Sequence, residues 1–229
     1  MLATLYFLLI VIIHVKTIVH ISEKAVESTV YKARLKETQS YLMQSQMKPH
    51  FIFNTLGALR TLIINSPKEA YDMTTNFSKY LRANIGTIDS AEKILFSQEL
   101  DHIKAYVAIE KVRFKDRINV VYDINCESFS IPPLSVEPLV ENAIKHGICK
   151  NIKGGTVKIS SHELDDKYVI TVEDDGVGFD TSILDDNENN SKSIGLKYII
   201  LRLKEISEAD FQITSEIGKG TKATIYVYK

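Results

Sequence analysis

Hydrophobic and polar positions follow three rhythms along the 229-residue chain. From Leu2 to Ile21 the sequence is almost wholly apolar, interrupted by His14, Lys16 and His20. A helix over that stretch reaches about 30 Å, the thickness of a bilayer's hydrocarbon core, and predicts a membrane span. A buried amphipathic helix is the alternative, because the unbroken apolar run before His14 is short. Between Ile21 and Gln46 the sequence turns to Glu, Lys, Gln and Ser, with Ala25, Val30, Leu35 and Leu42 near helical period and no Gly or Pro. That predicts a helix leaving the span. Beyond Pro49 a stripe of Phe53, Leu56, Leu59, Leu62 and Ile63 continues to Asn65. Ser66-Pro67-Lys68-Glu69 then supplies an N-cap, a proline at the first helical position and a glutamate two residues on, which starts a second helix. That helix, about Pro67 to Arg82, carries Ala70, Met73, Phe77, Tyr80 and Leu81. One hairpin cannot bury both stripes, so pairing with a second copy into a four-helix bundle is expected.

A linker around Asn84 to Leu95 leads to a third helix, with Ser97 as its expected cap, Glu99 in the first turn, and Leu100, Ile103 and Val107 on one face. Tyr106 to Phe114 reads as packing. After Phe114 the pattern becomes strands and helices in alternation. Strands are predicted at Ile118 to Ile124, Thr156 to Ser160, Tyr168 to Val172, near Phe211 to Thr214 and at Ala223 to Tyr228. Helices are predicted at Ser135 to His146, closed by Gly147, and at Gly195 to Ile206. The fold class that follows is α+β, with helices on one face of a mixed sheet.

Composition narrows the function classes. Apolar residues at 45 % and charged residues at 25 % match a globular average. A net charge of -1 gives no basic footprint for nucleic acid. Cys126 and Cys149 are far apart and lack C-x-x-C spacing, so neither a zinc site nor a disulfide framework is expected. No Lys or Arg precedes Leu2, whereas Lys16, Lys24, Lys32, Arg34 and Lys36 follow. The positive-inside bias therefore places residues after about 21 in the cytoplasm, with the protein held at the cell membrane.

Two segments carry candidate chemistry. In Gln46-Met47-Lys48-Pro49-His50-Phe51-Ile52-Phe53-Asn54, His50 and Asn54 are one helical turn apart, and Pro49 removes a backbone donor beside them. An imidazole that attacks phosphorus needs one nitrogen's lone pair free and the other nitrogen's proton held, and Asn54 is a candidate holder. The second segment is Glu141-Asn142-Ala143-Ile144-Lys145-His146-Gly147, followed by Asp175-Gly176-Val177-Gly178. The Asn142 side-chain oxygen suits Mg²⁺ bridging nucleotide phosphates, and Lys145 and His146 can meet phosphate. His146 is equally well read as a helix C-terminal cation. Asp175 precedes two glycines that let a flat ring approach the backbone, and its carboxylate can accept from an adenine amino group. A hairpin turn is the alternative, poorly matched by the polar run Thr181 to Ser193, which reads as a loop over nucleotide or a solvated surface. Gly195 opens a helix whose N–H groups suit phosphate, and Gly218-Lys219-Gly220-Thr221 is a second glycine-rich turn; neither has Walker A spacing.

These segments resemble the LytS-type sensor histidine kinases, whose hallmarks are a Pro-His-Phe-x-Phe-Asn phosphoacceptor box and a GHKL (Bergerat) ATP-binding domain. The likeness runs from about Gln44 to the C-terminus. It implies His50 as phosphoacceptor, Asn142 as magnesium ligand, Asp175 as adenine-binding aspartate, and Gly176, Gly178, Gly195, Gly218 and Gly220 as the glycine boxes. It also implies a homodimer, ATP and Mg²⁺ as cofactors, and phosphotransfer to a response-regulator aspartate, often on a regulator of LytTR type. Together with the apolar and helical patterns before it, the expected organisation is a transmembrane segment over 1–21, a signalling helix over 22–45, a phosphoacceptor hairpin over 46–95, a connecting helix over 96–115 and a two-layer catalytic domain over 116–229. Departures are Glu137, where the family commonly has Gln, and Tyr198, where it commonly has Asn; the second predicts a looser glycine-195 box. Hydrolytic GHKL relatives have a water-activating glutamate four residues before the magnesium asparagine, and here Pro138 stands there, which favours transfer to His50 over hydrolysis. The rival readings are a catalytically silent membrane pseudokinase, separated by nucleotide binding without phosphohistidine, and a GHKL ATPase switch, separated by phosphate release that does not need His50.

Overall fold

The computed structural model describes residues 49–87, 93–181 and 209–229, with Lys16, Thr17, Lys24 and Leu203 as isolated positions. Apart from those positions, the expected span over 1–21 and the helix over 22–45 lie outside the described residues. Among the described residues no helix is long and apolar enough to cross a membrane. The chain forms two compact units, residues 1–50 and 51–229. The packing below belongs to the second.

Three helices come first: α1 (Pro49–Asn65), α2 (Pro67–Thr87) and α3 (Phe96–Phe114). The α1–α2 break falls at Ser66, whose carbonyl accepts from the Ala70 N–H at 3.0 Å. The stripe expected on α1 divides between two faces. Phe51 and Thr55 are buried and Leu59 and Leu62 half-buried, whereas Phe53 is 72 % exposed, Leu56 47 % and Ile63 59 %. Residues three, four and seven apart share one face of a helix, so 53, 56 and 63 form an outer line and 51, 55 and 62 an inner one. On α2 the expected Ala70, Met73, Phe77 and Tyr80 are all buried. Phe51 fills the junction of the three helices, with ring centroids 6.3 Å from Phe77, 4.9 Å from Tyr80 and 5.6 Å from Tyr106. Further along, Asn84 Nδ2 and His102 Nε2 lie 3.2 Å apart and tie α2 to α3.

Helix α3 begins before Ser97. Its cap is Leu95, whose N–H donates to Gln98 Oε1 at 3.3 Å, while the Ser97 N–H reaches the Glu127 carbonyl at 3.2 Å. Phe96 is buried and stacked on Phe129, 5.1 Å between centroids, and that packing starts the helix upstream of the serine. A two-residue ladder precedes it, β1 (Ile94–Leu95) against β3 (Ser130–Ile131), which periodicity did not predict because strands this short have none.

The main sheet contains β2 (Ile118–Ile124), β4 (Gly155–Glu163), β5 (Lys167–Asp174), β6 (Ala209–Glu216) and β7 (Gly220–Tyr228) in the order β2-β4-β5-β7-β6. The β2–β4 pair is parallel and the others antiparallel, which confirms the mixed sheet. A parallel pair needs a crossover, and here it contains a short helix, α4 (Glu137–Asn142). Buried Val157, Ile159, Ile170, Val172 and Ile225 of the sheet form one core with Val140, Ile144 and Ile148 of the crossover and Ile103 and Ile109 of α3.

Candidate functional site

The crossover does not run as one α-helix from 135 to 146. It starts at Glu137, because Leu134 stands at φ +58 and the Ser135 hydroxyl is tied to the Pro132 carbonyl at 2.6 Å, so the chain is still turning there. After Asn142 it widens into a π-turn over Ala143–Gly147 and a 3₁₀ turn over Ile148–Lys150. Single π-turns inside helices recur at functional sites, since the extra residue redirects the side chains that follow. Here the turn brings Gly147 against the end of β5. A methyl group on Gly147 would collide with the Asp174 carboxylate.

Asp174 is the centre of this arrangement. It is 5 % exposed, its Oδ1 accepts from the Gly176 N–H at 2.9 Å, and the Thr221 backbone donates to it as well. Burial pushes its carboxyl up to about 6, partly opposed by those two donors, with Asp175 and Glu173 adding to the rise. Gly220, at φ +102, lies so close to the Asp174 carbonyl that no side chain fits there. Gly178 approaches the Glu216 carbonyl in the same way, and the Gly218 N–H donates to the Val177 carbonyl at 2.8 Å. Gly147, Gly176 and Thr221 therefore meet at one buried carboxylate, Gly220 packs on the backbone of the same residue, and Gly178 packs on the neighbouring Glu216 and Gly220 carbonyls. Among the described residues the next strand after Asp174 is β6 from Ala209, and β5 pairs with β7, so the aspartates do not form a tight hairpin.

Asp175 faces the other way. It is exposed, and its Oδ1 accepts from the Thr156 N–H at 2.7 Å, stapling β5 to β4. Counted as D-x-G-x-G, the first aspartate of the pattern is Asp174, and burial separates the two neighbours. Asn142 is half-buried at the last position of α4. Lys145 Nζ is 2.6 Å from Glu141 Oε1 and 5.9 Å from the Phe51 ring centroid, so the residue beside His50 is packed against the crossover lysine. His146 is exposed at the end of the π-turn. His50 is exposed in the first turn of α1, and Asn54, half-buried, lines a cleft of about 1090 Å³ with Leu62, Asp72, Lys111 and Arg113. Gly195, Tyr198 and nearly all of the 181–193 loop lie outside the described residues.

The residues fit a nucleotide in chemistry: the glycines let the backbone close on a buried carboxylate where a side chain would collide, and that carboxylate is an acceptor suited to an amino group. A magnesium ion fits the hard amide oxygen of Asn142. Among the described residues no group of three His, Cys, Asp or Glu is placed to hold a metal, so phosphate and water oxygens would complete such a coordination shell. The cysteines 126 and 149 are free.

Comparison with known proteins gives the same order of parts. The Histidine kinase family matches residues 38–118, and the Histidine kinase-, DNA gyrase B-, and HSP90-like ATPase family matches residues 135–229. YwpD of Bacillus subtilis is 35 % identical over 190 residues, covering 81 % of this chain and 68 % of its own. The sensor histidine kinase YpdA of Escherichia coli is 39 % identical over 191 residues, covering 81 % of this chain and 33 % of its own. The sensor protein LytS of Oceanobacillus iheyensis is 30 % identical over 207 residues, covering 86 % and 35 %. The chain thus spans about a third of the length of those two sensor proteins. With a helical region matching one family, an ATPase-type mixed-sheet domain matching the other, and LytS proteins among its relatives, the chain belongs to the LytS-type family of protein histidine kinases.

Proposed function

We propose that the protein is the kinase portion of a two-component sensor, moving the γ-phosphoryl group of ATP onto His50 and from there onto an aspartate of a response regulator, including regulators of LytTR type. The observation that supports this most is Asp174, a buried acceptor on which the backbone of Gly147 and Gly176 closes, next to the turn that follows Asn142. We assign the adenine amino group to Asp174 in place of Asp175, whose carboxylate is occupied with β4. Gly176, Gly178 and Gly220 wall the adenine end, with Gly218 and Thr221 in the neighbouring turn, and His146 lies where phosphate can be met. Lys145 reaches phosphate only by exchanging Glu141 for it. When bound through Asn142, magnesium neutralises charge on the phosphates. In the transfer, the lone pair of one His50 nitrogen attacks the γ-phosphorus, the bond to the ADP oxygen breaks, and the proton on the other nitrogen passes to solvent. Asn54, one turn along α1, holds that nitrogen's N–H beforehand and fixes the tautomer. Rate then comes from positioning and charge neutralisation. The outward line of Phe53, Leu56 and Ile63 supports a homodimer through the hairpin. The apolar stretch 2–21 and the lysines after it support anchoring at the cell membrane with the kinase in the cytoplasm.

The test is incubation of the purified protein with Mg²⁺ and γ-labelled ATP, comparing wild type with His50→Gln. Acid-labile, base-stable label in wild type alone is the expected result. Nucleotide binding with no label in either protein would replace the kinase with a silent scaffold, and phosphate release unaffected by His50→Gln would replace it with an ATPase.

A further inference from the structure

Glu99 is 1 % exposed in the first turn of α3, and both of its carboxylate oxygens are committed to the start of α4. Oε2 accepts from the Leu134 N–H at 2.8 Å, and Oε1 accepts from Val136 at 3.0 Å and Glu137 at 3.1 Å. The first N–H groups of a helix have no partner within it, and a carboxylate placed there both satisfies them and meets the positive end of the helix dipole. Leu134 is held at φ +58, a conformation that leucine adopts only when its surroundings enforce it. The Leu134 N–H is one of the three that Glu99 holds. Helix α4 is a single short rod from Glu137 to Asn142, so whatever fixes its first residue also fixes its last. At the same time α3 is the helix against which the α1–α2 hairpin packs, through Tyr106 and His102.

We infer that Glu99 is a positioning residue for nucleotide: its buried carboxylate sets where Asn142 stands, and it is the junction through which a shift of α3 reaches the nucleotide site. The inference rests on Asn142 being the magnesium ligand. A glutamine in place of Glu99 has the same shape but one acceptor oxygen and an NH₂ group, so it leaves at least one of the three N–H groups facing another donor. The α4 start is then released without a change in side-chain volume.

The test uses the full 229-residue chain and measures ATP affinity in Mg²⁺ and in EDTA, beside phosphohistidine yield, for wild type, Glu99→Gln, Asn142→Ala and the double variant. Groups that orient a metal ligand typically contribute about 10–100-fold to metal affinity. Glu99→Gln is expected to remove a gain of that size in the Mg²⁺-dependent part of ATP affinity, to leave affinity in EDTA unchanged, and to have no further effect once Asn142 is alanine. Equal losses with and without Mg²⁺, or additive losses in the double variant, would overturn the inference. If Asn142→Ala leaves the Mg²⁺-dependent gain intact, the assignment of Asn142 fails instead. Should Glu99→Gln not fold, Glu99→Asp, which keeps the charge but withdraws it by one methylene, carries the same comparison.

Discussion

Two adjacent aspartates with the same chemistry end up in opposite environments, and the nucleotide site depends on which of them turns inward. Alternation at the end of β5 decides it: Val172 and Asp174 are buried while Glu173 and the residue just beyond the strand, Asp175, are exposed. The sequence contains that parity, but it does not show which of the two aspartates is buried, and the proposed assignment of adenine to Asp174 in place of Asp175 rests on that burial. Burial then raises the Asp174 carboxyl from its usual 3.8 to about 6. Its contribution to stability is therefore fully present below 3.8 and is lost as pH rises through about 6. Asp174→Asn, neutral at every pH and still an acceptor for the Gly176 N–H, is expected to melt above wild type near pH 7 and level with it near pH 4. The same change should weaken ATP binding by roughly tenfold to a hundredfold near pH 7, since a hydrogen bond to a charged acceptor is lost. Wild-type affinity should decline as pH falls through about 6, and the variant's should not. Thermal melts and titration calorimetry across that range check both halves.

Among the elements, long ones with a clear period were legible in the sequence, namely the hairpin helices and the five-stranded sheet, whose observed strands contain the expected ones. The Ser97 cap was misplaced because Phe96 packs on Phe129, a contact between segments that local pattern does not contain. The division of α1 into two faces was hidden for a similar reason: apolar residues on both sides merge into one broad stripe until a neighbour claims one side. The neighbours α2 and α3 claim Phe51, Thr55 and Leu62. Phe53 and Ile63 remain on the outer line, so replacing both with glutamate is expected to convert a dimer to a monomer in sedimentation, while each monomer keeps its fold by circular dichroism.

For the whole molecule, α3 shares one buried cluster with the crossover and the sheet, through Ile103 and Ile109 against Val140, Ile144 and Ile159, so it is expected to stabilise the domain that follows it. A fragment of residues 116–229 is accordingly expected to melt well below the full chain and to bind ATP more weakly, because it exposes that cluster and lacks Glu99. Equal melting temperatures would make α3 a spacer after all. The Glu99 bonds were illegible in the sequence, which shows a glutamate in a helix's first turn but not the backbone 35 residues later that it holds. The π-turn at Ala143–Gly147 has a consequence for how this chain can vary in length. It amounts to one residue more than a regular helix needs, and each residue of a helix turns about 100°. Deleting one residue from the regular turns of α4 would swing everything after it by that angle and take Gly147 away from Asp174, whereas deleting one inside the π-turn closes a regular turn and leaves the residues after it in their places. A one-residue shortening is therefore expected to be tolerated at the π-turn, provided Gly147 is kept, and to disrupt the site when it falls in α4 upstream of it.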